Sequence, residues 1–422
     1  MLDIKFIREN IDIVKHAAQK KHVAVDLDRL LVIDDKRKEL QQSYDAVRAI
    51  QNEASDKIAR ASPEERLRLI DEVRTVKDRM QKTESELKEV MKEWQLLMVQ
   101  VPNVPDMSVP EGDDDSANVE VRTWGTPPEF TFKPKNHIDL MLALDMVELE
   151  RGTKTAGFRG YYLKNDGARL SFALWQYALD TLHKKGFSPL IAPSLVRREP
   201  FIGTGYLPQS EEDLYKTQDG EFLAGTAEVA TMSYFADEVL ERSQLPMKFA
   251  SFSPCFRREA GSHGKDTRGL IRVHEFYKVE QVVLCEASHQ TSVDYHEELT
   301  QNAEELMQAL RIPYHVVVNC GGDLGLGQVK KYDIEAWVPS EGTFRETHSA
   351  SYFHDFQTRR LNIRYKDVDG KLRFVHSLNN TAIATPRVLV PLIENHQEED
   401  GSIRIPEPLR PYMGKERIEV RT

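Results

Sequence analysis

The chain has 422 residues, of which 30% are charged, and its formal net charge is -11. This length predicts about two or three domains, and the acidic balance argues against a nonspecific nucleic-acid coat, so an RNA ligand would need a local basic patch. No apolar run reaches the length of a membrane-spanning helix, and the charged residues near the first methionine predict no signal peptide. The three cysteines have no C-x-x-C spacing and support neither a disulfide framework nor a cysteine zinc site, so a cytoplasmic protein without a membrane partner is expected.

Residues 1–101 are predicted to form a helical domain. Residues 2–20 have the pattern of a short amphipathic helix, and beyond them two long runs place a mostly apolar residue at every third or fourth position. The runs meet at Ser62 and Pro63, which are typical of a helix N-cap and of the first helical position, and the second run ends at Pro102. Two such helices joined by a tight turn predict an antiparallel coiled coil, a rod roughly 50 Å long at about 1.5 Å per residue.

The predicted rod is too thin to enclose a small-molecule pocket and must therefore reach a partner. Residues 29–99 contain as many Lys and Arg as Asp and Glu, which makes the arm neutral on an acidic protein. From these observations two functions stay open: a coil for dimerisation or spacing, and an arm that binds RNA.

A Pro- and Asp-rich linker is predicted at residues 102–119, followed by a mixed domain at residues 120–422. Thr226 would cap a helix in which Glu228 is favoured by the helix dipole. The glycines of residues 320–327 are not predicted to bind phosphate, because no G-K-[ST] follows them. Helices are predicted at 137–150, 168–185, 287–310 and 382–396. Strands are predicted at 158–163, 314–319, 331–338, 344–351 and 374–379, and a buried strand is predicted within 185–196.

Cationic side chains are concentrated in one stretch that begins at Ser253, SPCFRREAGSHGKDTRGLIRVHEFYKVE. Its pattern predicts an antiparallel hairpin with strands at 249–259 and 273–286 around a loop at 260–267. A period of two places Arg257 and Glu259 on one face of the first strand, and on one face of the second it places Arg272, His274, Phe276, Lys278 and Glu280. Arginines bind phosphate oxygens, an aromatic ring stacks on a base, and carboxylates accept hydrogen bonds from amino groups, so this face suits a nucleoside triphosphate. The charges alone would also fit a hairpin whose face is exposed to solvent.

The order F-R-x-E, loop, R-x-x-x-F resembles motif 2 of the class II aminoacyl-tRNA synthetases, and FRREAG…VHEFYKVE is most similar to the seryl-tRNA synthetases. Residues 185–196 resemble motif 1, which forms the dimer interface in class II enzymes, and the segment around Arg387 resembles motif 3. The coiled-coil arm and the connector PNVPDMSVPEG also resemble that family, so the resemblance covers essentially the whole chain. It implies an α+β fold with an antiparallel sheet core flanked by helices, an N-terminal coiled-coil arm that binds tRNA, and a homodimer.

The resemblance implies a serine–tRNA ligase reaction, in which L-serine and ATP form seryl-adenylate and the seryl group moves to tRNA-Ser, and to tRNA-Sec where that tRNA is present. Mg2+ would accompany the ATP. Two alternatives stay open from the residues: a synthetase-like RNA-binding regulator with a disabled site, and an aminoacyl ligase that acts on a carrier protein.

The resemblance also implies roles for individual residues. Catalytic roles fall to Arg257, Arg272 and Arg387. The ATP-binding residues would be Arg257, Arg258, Glu259, Arg272, Val273, Phe276, Glu346, Thr347, His348, Ser349 and Arg387. The serine-binding residues would be Thr226, Ala227, Glu228, Arg257, Glu280 and Thr381, and Mg2+ would bind Glu346 and Ser349.

Three places depart from the common pattern of the family, and one of them is Pro386, where glycine usually precedes the arginine. His348 stands where serine is usual, and its ring would either bond the ribose or phosphates or be a neutral structural histidine. Asn380 and Thr381 replace a Gly-Ser pair, and because Thr381 keeps a hydroxyl, serine binding need not be lost.

Overall fold

The computed structural model of the protein describes residues 1–261, 264 and 266–420, without the side chains of residues 59, 63 and 67–72. It divides into two compact units, one of residues 2–19 and 23–102 and one of residue 1, residues 20–22 and residues 103–422. Within the described residues, no helix combines the length and the apolar character that crossing a membrane requires.

The smaller unit contains the predicted helical hairpin. Its long helices are α3, Leu27–Arg60, and α4, Pro63–Met98, and Ser62 is the N-cap of α4 as predicted. The predicted apolar seam is confirmed where side chains are described: Leu30, Ile33, Val47 and Val90 are buried. One N-terminal helix was predicted, but the structure has two, α1, Ile4–Glu9, and α2, Ile11–Lys20. Helix α1 ends because the side-chain amide and the backbone N–H of Asn10 both donate to the carbonyl of Phe6. Helix α4 ends four residues before Pro102.

Nine further helices and eighteen strands form the described part of the larger unit. The helices are α5 His137–Ala143, α6 Glu150–Ala156, α7 Asn165–Lys184, α8 Arg198–Thr204, α9 Glu228–Met232, α10 His289–Ala309, α11 Phe356–Arg360, α12 Leu389–Asn395 and α13 Arg410–Met413. The strands are β1 Val119–Trp124, β2 Val147–Glu148, β3 Tyr162–Leu163, β4 Ser188–Ile191, β5 Leu195–Val196, β6 Tyr215–Lys216, β7 Phe222–Leu223, β8 Val239–Glu241, β9 Met247–Phe256, β10 Glu275–Cys285, β11 Tyr314–Val318, β12 Lys330–Val338, β13 Thr343–His354, β14 Arg364–Lys366, β15 Leu372–Phe374, β16 His376–Thr385, β17 Ile403–Arg404 and β18 Arg417–Ile418.

Eight of these strands form one sheet, in the order β1-β11-β12-β13-β16-β10-β9-β4. Every neighbouring pair is antiparallel except β4 and β9, which are parallel. Helices α7 and α10 pack against this sheet. The apolar residues of α10 recur at helical spacing and Leu299, Ala303 and Leu306 are fully buried, so one stripe of the helix supplies its contribution to the core. The predicted antiparallel core flanked by helices is confirmed.

Residues 103–118 lie in the larger unit although their composition predicted a linker. The amide of Asn103 donates to the carbonyls of Gly327 and Phe353 at 3.0 and 2.8 Å, and Val109 is buried. The regular structure in residues 103–118 is a single 3-10 turn, Asp115–Ala117. Proline and aspartate exclude helix here, but the backbone is held by contacts distant in sequence.

Elements predicted in the larger unit also differ from the structure. The helix predicted at 137–150 ends at Ala143, because Asp145 adopts a φ of 55° and the chain enters β2. The strand predicted at 158–163 is reduced to Tyr162–Leu163. The helix predicted at 382–396 begins only at Leu389, since residues up to Thr385 belong to β16, which lies between β13 and β10 in the sheet. The sequence did not distinguish the two, because a short apolar run fits a buried strand and a buried helix equally well.

The strand predicted to be buried within residues 185–196 is β4, at the edge of the sheet. Ile191 is 87% exposed in the single chain, and Leu195 on β5 and Phe172 on α7 are also exposed. Exposed apolar residues at a sheet edge are typical of surfaces that associate with another chain.

Candidate active site

The predicted hairpin is formed by β9 and β10. Their ladder pairs Phe256 with Glu275 and Cys255 with Phe276, and the backbone N–H of Arg257 donates to the carbonyl of His274 at 3.0 Å, one residue beyond the strands. Within the loop, Ser262, His263 and Lys265 lie outside the described residues. Because β10 begins at Glu275, strand alternation does not extend back to residues 272 and 274.

His274 does not share a face with Phe276, Lys278 and Glu280, so that prediction is wrong. Its Nδ1 lies 2.9 Å from the carbonyl oxygen of Arg257, and its ring lines a second cavity. That cavity has a volume of about 720 Å³, and ten of its lining residues carry aromatic or imidazole rings. It is larger than the cavity on the other face, but the predicted chemistry is not in it.

Strands β10, β13 and β16 present their polar side chains to a cavity on the other face. The predicted residues that line it are Thr226, Glu228, Arg257, Glu259, Val273, Phe276, Glu280, Glu346, Thr347, Ser349, Thr381 and Arg387. They come from segments up to 161 positions apart in sequence, from Thr226 to Arg387, and the fold brings them together.

Four other predicted residues lie outside that cavity, and one of them, His348, is described below. Arg272 lines an adjoining cavity and binds Glu259 and Asp266 at 2.7 and 3.4 Å, respectively. Arg258 is exposed, and its backbone N–H donates to the carbonyl of Asp213. Ala227 is buried at the N-cap of α9.

At one end of the cavity two arginines approach an aromatic ring and a carboxylate. The guanidinium carbon of Arg257 lies 5.4 Å from the centre of the Phe276 ring, a cation–π contact. Arg387 donates through Nε to the carbonyl of Ile271 at 3.0 Å, and its Nη1 lies 3.6 Å from Oε2 of Glu346. Desolvation opposes the charge of Glu346, but the positive charges led by Arg387 outweigh it, so the pKa of Glu346 lies below its ordinary value. This end can bind an anion with an aromatic base.

At the other end a buried lysine and a buried glutamate form an ion pair. Nζ of Lys278 lies 2.5 Å from Oε2 of Glu280, and the Thr381 hydroxyl lies 3.5 Å from the same oxygen. Burial raises the pKa of Glu280, and the Lys278 charge opposes that rise. No role was predicted for Lys278, although its position two residues before Glu280 on one strand face was the signal that could have identified the pair.

Glu228 is buried in a hydrogen-bond network that the sequence did not reveal. Its carboxylate accepts from the Tyr206 hydroxyl at 3.0 Å and from Nε2 of Gln357 at 2.6 Å. Burial raises the pKa of Glu228 to about 7. No motif marks Tyr206 or Gln357, and Gln357 lies 129 positions from Glu228.

His348 does not face the cavity. It is buried, its Nδ1 lies 2.8 Å from the Thr347 hydroxyl and its Nε2 lies 3.0 Å from the carbonyl oxygen of Ala382. Burial lowers its pKa to about 4. Of the two roles left open for this ring, these contacts fit a neutral structural histidine.

Glu346 and Ser349 offer a carboxylate and a hydroxyl on the cavity wall. These are hard oxygen donors of the type that Mg2+ prefers, and Mg2+ usually completes its shell with substrate phosphates and water. In the described part of the chain, no group of three or more His, Cys, Asp or Glu side chains could hold a metal by itself. The residues therefore fit a metal that arrives with a phosphate ligand.

Two known sequence families match the chain. The family described as the seryl-tRNA synthetase N-terminal domain matches residues 1–105, and the class II tRNA synthetase core domain of the G, H, P, S and T type matches residues 215–396. The serine–tRNA ligase of Deinococcus radiodurans is 48% identical over 98% of both chains. The serine–tRNA ligase of Treponema denticola is 41% identical over 99% of this chain and all of its own.

Two solved structures have the same fold over the whole chain. The seryl-tRNA synthetase of Pyrococcus horikoshii, solved with ATP, superposes with a TM-score of 0.90 at 40% identity and covers 100% of both chains. The cytoplasmic serine–tRNA ligase of Naegleria fowleri, solved with AMP, superposes with a TM-score of 0.86 at 31% identity, over 100% of this chain and 99% of its own. Together with the cavity of Arg257, Phe276, Glu280 and Arg387, these matches show that the chain belongs to the seryl-tRNA synthetase family of class II aminoacyl-tRNA synthetases.

Proposed function

We propose that the chain activates L-serine with ATP to form seryl-adenylate and pyrophosphate, and then transfers the seryl group to the 3′ end of tRNA-Ser. The observation that carries this proposal is one cavity with a cationic, aromatic end at Arg257, Phe276 and Arg387 and a hydrogen-bonding end at Glu280 and Thr381. One end suits ATP and the other suits a small hydroxylated amino acid.

The first step joins two anions and needs no side-chain nucleophile, because the serine carboxylate itself attacks the α-phosphorus. Charge stabilisation and positioning lower the barrier. Arg257 bridges the serine carboxylate and the α-phosphate, while Arg272 and Arg387 hold the β- and γ-phosphates. The adenine lies between Phe276 and Arg387, and Glu259 accepts a hydrogen bond from its amino group.

Mg2+ bound by Glu346 and Ser349 would neutralise charge on the ATP phosphates. The placement of both side chains on the wall of the cavity supports this proposal, because they can reach a metal that enters with the phosphates.

Recognition of serine depends on groups that are costly to leave without a partner. The carboxylate of Glu280, the hydroxyl of Thr381 and the Thr226–Glu228 segment form hydrogen bonds with the substrate. A site built to bond a hydroxyl rejects alanine strongly, whereas threonine, with one more methyl group, is excluded by fit.

ATP–pyrophosphate exchange with a panel of amino acids tests the first step. We expect exchange that depends on serine, with much lower rates for alanine and threonine. Absence of exchange with every amino acid would favour the alternative of a disabled RNA-binding regulator. A second assay compares tRNA-Ser with a carrier protein as acceptor, and charging of the carrier alone would favour the other alternative. The same assay with tRNA-Sec tests whether that tRNA is also a substrate.

We further propose that residues 1–101 bind tRNA through the coiled-coil arm, that residues 102–119 connect them to the catalytic domain of residues 120–422, and that the protein acts in the cytoplasm. A neutral arm would need local clusters of basic residues for phosphate contacts, for which Arg48, Lys57 and Arg60 are the candidates.

We also propose a homodimer through the region of β4. Ile191 is 87% exposed at the apolar sheet edge, a degree of exposure that association would reduce. Ile191→Asp should therefore convert a dimer into a monomer in sedimentation velocity, whereas Val368→Asp, at another residue that is 88% exposed, should leave the sedimentation coefficient unchanged. A wild-type protein that sediments as a monomer would contradict this proposal.

A further inference from the structure

Trp175 on α7 is held by aromatic rings on the face of the hairpin that is turned away from the proposed active site. The centre of its ring lies 5.0 Å from that of Phe252 on β9 and 5.1 Å from that of Tyr277 on β10, and Phe172 lies at 5.4 Å. These contacts fix the plane of the indole. Its N–H donates a hydrogen bond to the hydroxyl of Thr385 at 2.8 Å.

Thr385 connects this aromatic cluster with the active-site cavity. It is the last residue of β16, it is 1% exposed, and it is paired with Tyr277 across the ladder. It also lines the cavity that contains Arg387, two residues further along the chain. The path from Trp175 to Arg387 is therefore one hydrogen bond and two peptide units.

The contacts of the Arg387 side chain do not hold it strongly. They are one hydrogen bond to the carbonyl of Ile271 at 3.0 Å, a long one to the carbonyl of Glu346 at 3.3 Å, and the ion pair at 3.6 Å, with the side chain 25% exposed. The turn into α12 is closed by the N–H of Val388 donating to the carbonyl of Ala384, a bond that spans Thr385 to Arg387. This turn connects the backbone position of Thr385 with that of Arg387.

We propose that Trp175 is a positioning residue for Arg387, which acts by fixing the Thr385 hydroxyl at the point where β16 leaves the sheet. The inference rests on the proposed function, in which Arg387 binds the ATP phosphates and adenine. Its consequence is specific: Trp175 supports binding of the nucleotide and does not support binding of serine, because Glu280 and Thr381 lie further along the strands.

Trp175→Phe removes the N–H and keeps an aromatic ring in the cluster. We expect the KM for ATP in pyrophosphate exchange to rise about five- to tenfold and the KM for serine to change less than twofold, since a typical hydrogen bond is worth about a factor of five to ten. Thr385→Val should give the same pattern, and Thr385→Ser, which keeps the hydroxyl, should be close to wild type. The double variant Trp175→Phe/Thr385→Val should be no worse than either single variant, because both remove one bond.

A role in stability alone would give a different pattern. It would lower the thermal midpoint and would not separate the KM for ATP from the KM for serine. Calorimetric titration with ATP in the absence of serine gives a readout independent of turnover, and Thr385→Val leaves the aromatic cluster in place if Trp175→Phe fails to fold. Trp124→Phe, at a ring stacked on Tyr314 with centres 5.9 Å apart, is the matched control and should leave both KM values unchanged.

An unchanged ATP affinity in both Trp175→Phe and Thr385→Val would overturn the inference, and so would additive effects in the double variant. If the wild-type protein shows no serine-dependent exchange, the proposed function has failed. If the wild type is active and the variants match it, the positioning role alone has failed.

Discussion

At the scale of single residues, Arg257 combines contacts that no other predicted residue has. It lines the proposed active-site cavity and the adjoining one, it lies over the Phe276 ring, and it extends the β9–β10 ladder through its backbone. A guanidinium in this place can bind two acceptors at once, which a lysine ammonium cannot do with the same geometry.

Removal of that guanidinium is expected to slow adenylation by roughly a hundred- to a thousandfold. Arg257→Ala leaves two substrate anions facing each other and should cost about 3–4 kcal/mol of transition-state stabilisation, the scale of a lost oxyanion donor. Arg257→Lys should also fail. The measurement is kcat/KM for pyrophosphate exchange, with Arg242→Ala as control, because Arg242 pairs with Glu286 and Asp367 outside the cavity. Adenylation by Arg257→Ala at a nearly normal rate would remove Arg257 from the mechanism.

Glu228 should make stability depend on pH. Burial raises its pKa from 4.5 to about 7. The folded state therefore binds this proton more tightly than the unfolded state, so its contribution to stability is fully present below pH 4.5 and is lost as the pH rises to about 7. At about 1.4 kcal/mol per pKa unit, the change is at most about 3 kcal/mol.

Glu228→Gln removes this titration and keeps the shape of the side chain. We expect the free energy of unfolding of the wild type to fall relative to that of the variant as the pH rises from 4.5 to about 7. Urea unfolding at a series of pH values measures the difference, and Glu199→Gln, at an exposed position, is the control. Parallel curves for wild type and Glu228→Gln would show that the carboxyl is not perturbed.

At the scale of elements, the Gly-rich turn at residues 320–327 supports packing. The N–H groups of Gly321 and Gly322 donate to the carbonyls of Pro110 and Gly112, both at 2.9 Å. A Cβ on Gly322 would lie 2.2 Å from the carbonyl oxygen of Asp113. The turn is thus rich in glycine because another backbone segment lies directly against it.

Gly322→Ala should destabilise the larger unit by about 1–3 kcal/mol, the usual cost of overpacking, because the nearest atoms are backbone and cannot move aside alone. Gly325→Ala is the matched control in the same turn. Its nearest contact would be Oε1 of the Gln328 side chain at 3.2 Å, so its effect should be much smaller. The midpoints of chemical unfolding measure the destabilisation of each variant. Equal midpoints for the two variants would argue against a close approach of the residue 113 backbone to Gly322.

At the scale of the whole molecule, the arm and the catalytic unit are expected to separate in function. Helices α3 and α4 bury their apolar seam against each other in the smaller unit, and the active-site residues all lie in the larger one. Deletion of residues 30–99 with a short bridge should leave serine-dependent pyrophosphate exchange intact, with similar KM values for serine and ATP. Charging of tRNA should be lost, because an arm roughly 50 Å long is the element that can reach a distant RNA feature.

Two measurements define the outcome of that deletion. The first compares pyrophosphate exchange with tRNA charging in the same preparation of the deletion variant. The second measures how tRNA binding by the full-length protein depends on salt concentration. Each of Arg48→Ala, Lys57→Ala and Arg60→Ala should make the affinity for tRNA fall less steeply with salt. Charging at the full-length rate without the arm would make it a spacer or a dimerisation coil.

The sequence by itself determined the features that depend on local pattern. The two arm helices, the Ser62 cap and the hairpin strands were predictable because their signals lie within one or two turns, or within one strand, of the residues concerned. Most of the proposed active site was predictable for a related reason: the order of residues such as Arg257, Glu259, Phe276 and Glu280 along one hairpin carries the resemblance to the family.

Tertiary structure decided what depends on contacts between distant segments. Strand β16 continues to Thr385 because β10 pairs with it as far as that residue, while β13 pairs only with residues 377–380, and no local pattern shows either partner. The same reason explains why His274 faces the second cavity, why Glu228 meets Gln357, and why Trp175 reaches Thr385 over 210 positions. Side-chain partners across a sheet follow from strand order and register, and these are properties of the folded chain as a whole.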